Sequence, residues 1–163
     1  MTDISLKILD MECAACVRRL GKVISAQKGV ARAEINFAAS TAAVSYDEGV
    51  TDIAMIAATV RKAGFRVPIE EQELIPEGEV SEGVADALSS VFGVKSVTIA
   101  DGKITVCLWP VDIQARELVA ACADCGCTVT AGERRGGDLD QELDKRMGLL
   151  QKLLGSAAAT SLL

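Results

Sequence analysis

The sequence predicts an α+β protein made of two small units in tandem, each a β-α-β-β-α-β alternation, followed by an amphipathic helix. Three observations carry this. Runs that alternate apolar and polar residues with period two are interleaved with apolar stripes at spacings of three and four, and the same order occurs twice. A Gly-Val pair stands at Gly29-Val30 and again at Gly93-Val94, and core positions recur with it. Finally, the 163 residues are 50% hydrophobic but only 3% aromatic, which suits two small cores of Ala, Val, Ile and Leu.

In the first unit, residues 1–69, the run 4–10 alternates as a strand with Ile4, Leu6 and Ile8 on one side. Val17, Leu20, Val23, Ile24 and Gln27 then form a helical stripe. Residues 30–37 and 41–46 read as a pair of strands. Ile53, Ile56, Ala57 and Val60 form a second stripe, with Thr51 or Asp52 as N-cap and Gly64 as its stop. Residues 65–69 read as the closing strand. Two helices on one face of a four-stranded antiparallel sheet is the ferredoxin-like arrangement, so the fold expected is two tandem ferredoxin-like βαββαβ sandwiches.

The second unit, residues 70–130, repeats the first at an offset of 64, which places Leu20 and Ile24 on Val84 and Leu88. After Asp101-Gly102, a tight two-residue turn, the offset falls to 62 and Gly64-Phe65 meets Gly126-Cys127. Beyond it, Gly136-Gly137 reads as a flexible break within a linker that starts at residue 131. Leu139, Leu143, Met147, Leu150 and Leu154 give an amphipathic helix that becomes apolar towards residue 163. That stretch is short of the ~20 residues that span a bilayer. It reads as the approach to a missing membrane span, or as an oligomerisation or membrane-surface helix, so membrane contact is expected through residues 139–163.

Composition excludes several classes of function. There is no histidine, which removes Ser-His-Asp and Cys-His nucleophiles, histidine bases and Cys/His zinc fingers. A net charge of −6 argues against nucleic acid as a partner. The charge is unevenly divided: residues 1–69 carry 9 basic and 7 acidic groups, residues 70–130 carry 3 and 11. Arg18, Arg19 and Lys22 lie just after Cys16, where they would steer an acidic partner or dock on the second copy. The amino terminus lacks the basic start and apolar run of a secretory signal, so a cytoplasmic setting is expected, at the inner face of the plasma membrane if the chain is part of a membrane protein. In such a reducing compartment the six cysteines read as metal ligands, redox groups or small apolar fillers rather than a disulfide framework.

Met11-Glu12-Cys13-Ala14-Ala15-Cys16 falls at the first strand-to-helix junction. Two thiolates three residues apart can converge on one soft ion, with helix-terminal N–H groups and Arg18 and Arg19 favouring their charge. Two sulfurs suit Cu(I). A thioredoxin-like redox centre uses the same spacing, with an aromatic and a Gly-Pro-like middle where this loop has Ala-Ala.

Together with Gly29-Val30, Ile35-Asn36-Phe37-Ala38, Ala43-Val44, Tyr46-Asp47 and Lys62-Ala63-Gly64-Phe65, this loop closely resembles the heavy-metal-associated (HMA) domain over nearly all of residues 3–69. The resemblance implies Cu(I) held by Cys13 and Cys16, with Met11 as a hydrophobic tether under the loop. It also implies that Phe65 packs near the metal, as in domains attached to an ATPase. Two positions depart from the family: Asp10 stands where Gly is usual, and Glu12 where copper members commonly have Thr. A carboxylate at Glu12 is a harder ligand and brings Zn(II) or Cd(II) in as the alternative.

At the offset of 64, Cys13 and Cys16 fall on Glu77 and Val80, so the second copy has lost the motif. Cys122, Cys125 and Cys127 form C-x-x-C-x-C at the same end of that unit. They read either as a relocated thiolate site or, with Cys107, as apolar fillers. The function expected is Cu(I) binding for transfer to, or regulation of, a copper-transporting P-type ATPase whose N-terminal cytoplasmic region this chain resembles, with a copper chaperone or ATPase domains as partners. The ATPase motifs Asp-Lys-Thr-Gly and Cys-Pro-Cys are absent, so no enzymatic activity is expected of the chain. Alternatives are a free-standing copper chaperone, a zinc, cadmium or mercury binder, and a thiol oxidoreductase.

Overall fold

A computed structural model describes residues 1–137. The helix expected over residues 139–163 lies outside them. The elements run β1 (Thr2–Lys7), α1 (Ala14–Ser25), β2 (Val30–Asn36), β3 (Thr41–Tyr46), α2 (Ile53–Lys62), β4 (Ile69–Pro76), α3 (Val84–Ser89), β5 (Val94–Ala100), β6 (Lys103–Leu108), α4 (Ala115–Asp124) and β7 (Val129–Gly137). They make an α+β fold with two antiparallel sheets, ordered β1-β3-β2 and β5-β6-β4-β7. Among the described residues no helix is long and apolar enough to cross a membrane.

Most of the positions that the periodicity marks as inward are buried, while Val17 and Val23 on the α1 stripe are half-buried. Ile4, Leu6 and Ile8 are buried, as are Leu20 and Ile24 on α1, Ile53, Ile56, Ala57 and Val60 on α2, and Val84 and Leu88 on α3. Of the two N-cap candidates, Asp52 caps α2 by accepting the Met55 N–H, while Thr51 is buried and accepts from Gln27 Nε2. Gln27 lies just beyond α1 rather than on its stripe.

The internal repeat is written into the backbone. β2 pairs with β3 through a bulge between Val30 and Arg32, and β5 pairs with β6 through a bulge between Val94 and Ser96, 64 residues on. Asp101 and Gly102 both take positive φ, the signature of a tight hairpin turn. α2 and α4 correspond at the offset of 62 and end alike. Gly64 and Gly126 are left-handed, and Phe65 and Cys127 donate their N–H groups back to the carbonyls of Val60 and Cys122.

Three expectations change. Residues 65–69 do not form a full closing strand: an isolated bridge joins Leu9 and Arg66, and Ile69 already begins β4 of the other sheet. The same apolar alternation suits either sheet, and β4 gains two neighbours where a closing strand gains one. The second unit does not stop at residue 130, and Gly136-Gly137 is no break. β7 runs to Gly137, paired with Ile69, and Arg134 is tied to Glu70 at 2.6 Å. Nor do Arg18, Arg19 and Lys22 dock on the second copy: all three are exposed and enter no ion pair among the described residues.

Candidate metal centre

The loop at residues 10–16 is built by ending β1 early. Asp10 takes a left-handed conformation, φ 68°, which turns the chain out of the sheet. Aspartate tolerates this better than most residues, though glycine would adopt it without cost. Arg66 holds it there: its Nη2 donates to Asp10 Oδ1 at 2.8 Å, its Nε donates to Oδ2, and its backbone carbonyl accepts the Leu9 N–H at 2.8 Å. Hydrogen bonding from Arg66 holds the Asp10 carboxyl below its ordinary value. A group depressed in this way adds stability above its unfolded value and loses it as pH falls through the lower folded value. Arg66→Met is therefore expected to lower the urea midpoint near neutral pH. The gap from wild type should close in the acid range; a gap that persists at pH 2 would show that the pair acts by packing alone.

After the turn Met11 is buried at 9% exposure, while Glu12 and Cys13 are exposed. Cys13 is the N-cap of α1: its backbone is extended and its Sγ accepts the Cys16 N–H at 3.2 Å. Cys16, one turn into the helix, is half-buried, and the two sulfurs meet in a disulfide with the Cα atoms 5.2 Å apart. No acidic residue occupies the first turn of α1, so its positive end is left to the sulfurs. On reduction this geometry offers two adjacent thiols, one at a helix N-terminus, where the thiolate is favoured. Phe65 is buried in the same core as Met11. The basic groups of α1 continue from the loop as an open depression of about 430 Å3 lined by Ala15, Arg18, Arg19, Lys22 and Val23.

In the second unit the corresponding end is built differently. At the offset of 64, β4 runs straight through to Pro76, past the positions where the first copy turns out at Asp10. α3 begins only at Val84, so the turns matching the start of α1 are gone. Gly78 and Gly83 occupy that stretch with positive φ. Cys122 and Cys127 are buried, and Cys107 and Cys125 half-buried. Cys125 Sγ lies 4.0 Å from the Gly83 carbonyl. Burial, reinforced by Cys127 and Cys125, pushes the Cys122 thiol up to about 11. Among the described residues no three or more Cys, Asp or Glu side chains are gathered as a metal cage. This suits the apolar-filler role. In the native protein Cys125 is expected to alkylate at pH 8 well before Cys122, by at least about tenfold; equal rates would contradict its burial.

Sequence reasoning missed the Asp10–Arg66 clamp. Its only trace was the non-glycine residue at position 10.

These features define a small ferredoxin-like domain that presents a redox-closable cysteine pair at the N-terminus of its first helix. Residues 5–66 match the heavy-metal-associated domain family. It is 37% identical over 143 residues to Copper-transporting ATPase 1 of Rhizobium meliloti, covering 83% of this chain and 17% of that protein. It also resembles the water-soluble region of the P-type ATPase CopA from Bacillus subtilis, at 26% identity and TM-score 0.57, covering 80% of this chain and 90% of that one. The solution structure of the N-terminal soluble domains of Bacillus subtilis CopA is similar at 27% identity and TM-score 0.55, covering 80% and 93%. The chain therefore resembles the N-terminal region of a copper-transporting P-type ATPase and spans under a fifth of the length of that curated relative.

Proposed function

We propose that the reduced chain binds one Cu(I) between Cys13 and Cys16 and passes it to, or uses it to regulate, a heavy-metal-translocating P-type ATPase. The observation that carries this is the pairing of the two sulfurs at the exposed cap of α1, with the Cys16 N–H already directed at Cys13 Sγ. Cu(I) accepts two soft ligands, and each thiol gives up its proton as the metal binds. The ion is cargo: a donor's thiolate is displaced by one cysteine of the pair, then by the second, and the ion leaves by the reverse exchange. Met11 and Phe65 support the loop from below. The exposed Arg18, Arg19 and Lys22 flank the route of approach and favour a donor or ATPase domain with an acidic docking face. This reading places the chain on the cytoplasmic side, and it assigns no catalysis to these residues. Cys122, Cys125 and Cys127 are assigned to the second core.

Glu12 favours a second reading. It is exposed beside Cys13, and a carboxylate added to two thiolates suits Zn(II) or Cd(II). Loading the reduced chain anaerobically with Cu(I) and Zn(II) in competition separates the two. One Cu(I) per chain, unchanged in Glu12→Gln, is the expected result. Preferential Zn(II), lost in Glu12→Gln, would overturn it.

A further inference from the structure

The outer edge of β1, the strand that leads into the dithiol loop, is covered from two sources. Ile8 donates its N–H inward to Ser40, so Lys7 and Leu9 donate outward. Leu9 meets the carbonyl of Arg66, from the first unit's own closing segment. Lys7 meets the carbonyl of Pro110, from the second unit, at 3.2 Å. The donor that a full fourth strand would satisfy is thus satisfied by the other copy.

Residues 109–113 are shaped for that contact. Trp109 is buried at 7% exposure, with Arg61 of α2 and Lys95 of β5 over its ring at 5.8 and 5.3 Å from the centroid, one cation from each unit. Its N–H donates to the Gly93 carbonyl, and two tight turns follow, with Val111 donating to Trp109 and Ile113 to Val111. Arg134, paired with Glu70 at the start of β4, also donates to the Ile113 carbonyl at 2.7 Å. There is no linker to absorb motion, because Arg66 bridges to β1 and Ile69 already belongs to β4. An open cleft of about 700 Å3 separates the units alongside Trp109. The contact is therefore local, and it falls on the strand that ends at the loop.

We propose that the second unit, having lost its own dithiol, serves as a positioning element for the first: Trp109 and Pro110 complete the edge of β1 at Lys7 and hold the root of the Cys13–Cys16 loop. Trp109 and Arg61 are then positioning residues that touch no metal. The first part of this inference is independent of the ion bound; the second rests on the Cu(I) reading.

Hydrogen exchange on the reduced, metal-free full chain tests the first part. The Lys7 amide is expected to be protected, and to exchange about tenfold faster in Trp109→Ala and in Arg61→Met, while Val106 in β6 keeps its protection. Lys7→Pro deletes the donor itself, at an outward edge position that tolerates proline. It is read at the Leu9 amide, which is expected to loosen even if Trp109→Ala unfolds the second unit. An unprotected Lys7 amide in the wild type, or an unchanged Leu9 amide in Lys7→Pro, overturns the proposal. The second part is read by Cu(I) competition, where the Arg61→Met and Lys7→Pro variants are expected to bind about tenfold more weakly with stoichiometry unchanged. Equal affinity alongside faster exchange would confine the second unit to a structural role and overturn positioning. Absence of Cu(I) binding in the wild type would overturn the copper reading and leave the exchange result standing.

Discussion

Cys13→Ser is expected to abolish tight Cu(I) binding while leaving the fold intact. The two halves of that result come from different physics. Serine is a good N-cap, so the contact now made by Cys13 Sγ to the Cys16 N–H passes to a hydroxyl and α1 keeps its start. Cys13→Ala, by contrast, is expected to cost about 1 kcal/mol of stability by leaving that N–H without its cap. For the metal, loss of one of two thiolates removes half the ligand set. Structural Zn(II) sites bind with roughly 10–16 kcal/mol spread over about four ligands, so on that scale one ligand is worth ~3 kcal/mol, or about a hundredfold in affinity. The double variant Cys13→Ser/Cys16→Ser should retain no metal against a competing Cu(I) chelator. One equivalent still bound there would move the site to Cys122, Cys125 and Cys127, and the assignment of those thiols to the core would fall with it.

Among the described residues Gly93→Ala is expected to be the most damaging single substitution of a glycine. Gly93 has φ +82°, a conformation that costs any residue with a Cβ. The added carbon would also lie 2.2 Å from Ile113 Cδ1 and 2.8 Å from Val111 Cγ2, both on buried residues of the segment that reaches β1. Strain and overpacking together predict a loss of about 3 kcal/mol or more, a fall in Tm of roughly 6–12 °C for a protein of this size. The repeat supplies the control. Gly29 is left-handed too, but its Cβ would meet Val50 Cβ and Cγ1 at 2.9 Å and Thr51 Cγ2 at 3.1 Å, a shallower overlap than the 2.2 Å at Gly93. Gly29→Ala should therefore cost less. If thermal melts show the two variants equal, the backbone conformation alone sets the cost and the close approach of Ile113 contributes nothing.

Much of this molecule is legible without coordinates because the relevant signals are local. Burial of Ile4, Leu6 and Ile8, and of Ile53, Ile56, Ala57 and Val60, follows from periods of two and of three to four. The hairpin at Asp101-Gly102 and the helix stop at Gly64 follow from turn chemistry. The placement of the cysteine pair was legible as well, since the alternating run before Cys13 and the apolar stripe after Cys16 put the two at a strand-to-helix junction. The closing strand was not. Residues 65–69 alternate correctly, but alternation does not say which sheet will accept them. The β4 register decides that, by pairing Ile69 with Gly137 and Glu70 with Leu108. Gly136-Gly137 continues β7 instead of breaking it for a related reason: a strand held on its partner tolerates glycines that composition marks as punctuation.

By itself, then, the sequence determined the α+β class, the inward faces of β1 and of the first helices, and the neighbouring positions of Cys13 and Cys16, all of which depend on residues within one or two turns of each other. Tertiary structure alone decided what holds the loop and joins the units. Arg66 reaches Asp10 across 56 residues, and the Pro110 carbonyl reaches Lys7 across more than a hundred. Such contacts depend on where separate elements come to rest, and no periodicity in the chain encodes a backbone carbonyl meeting the free edge of a strand.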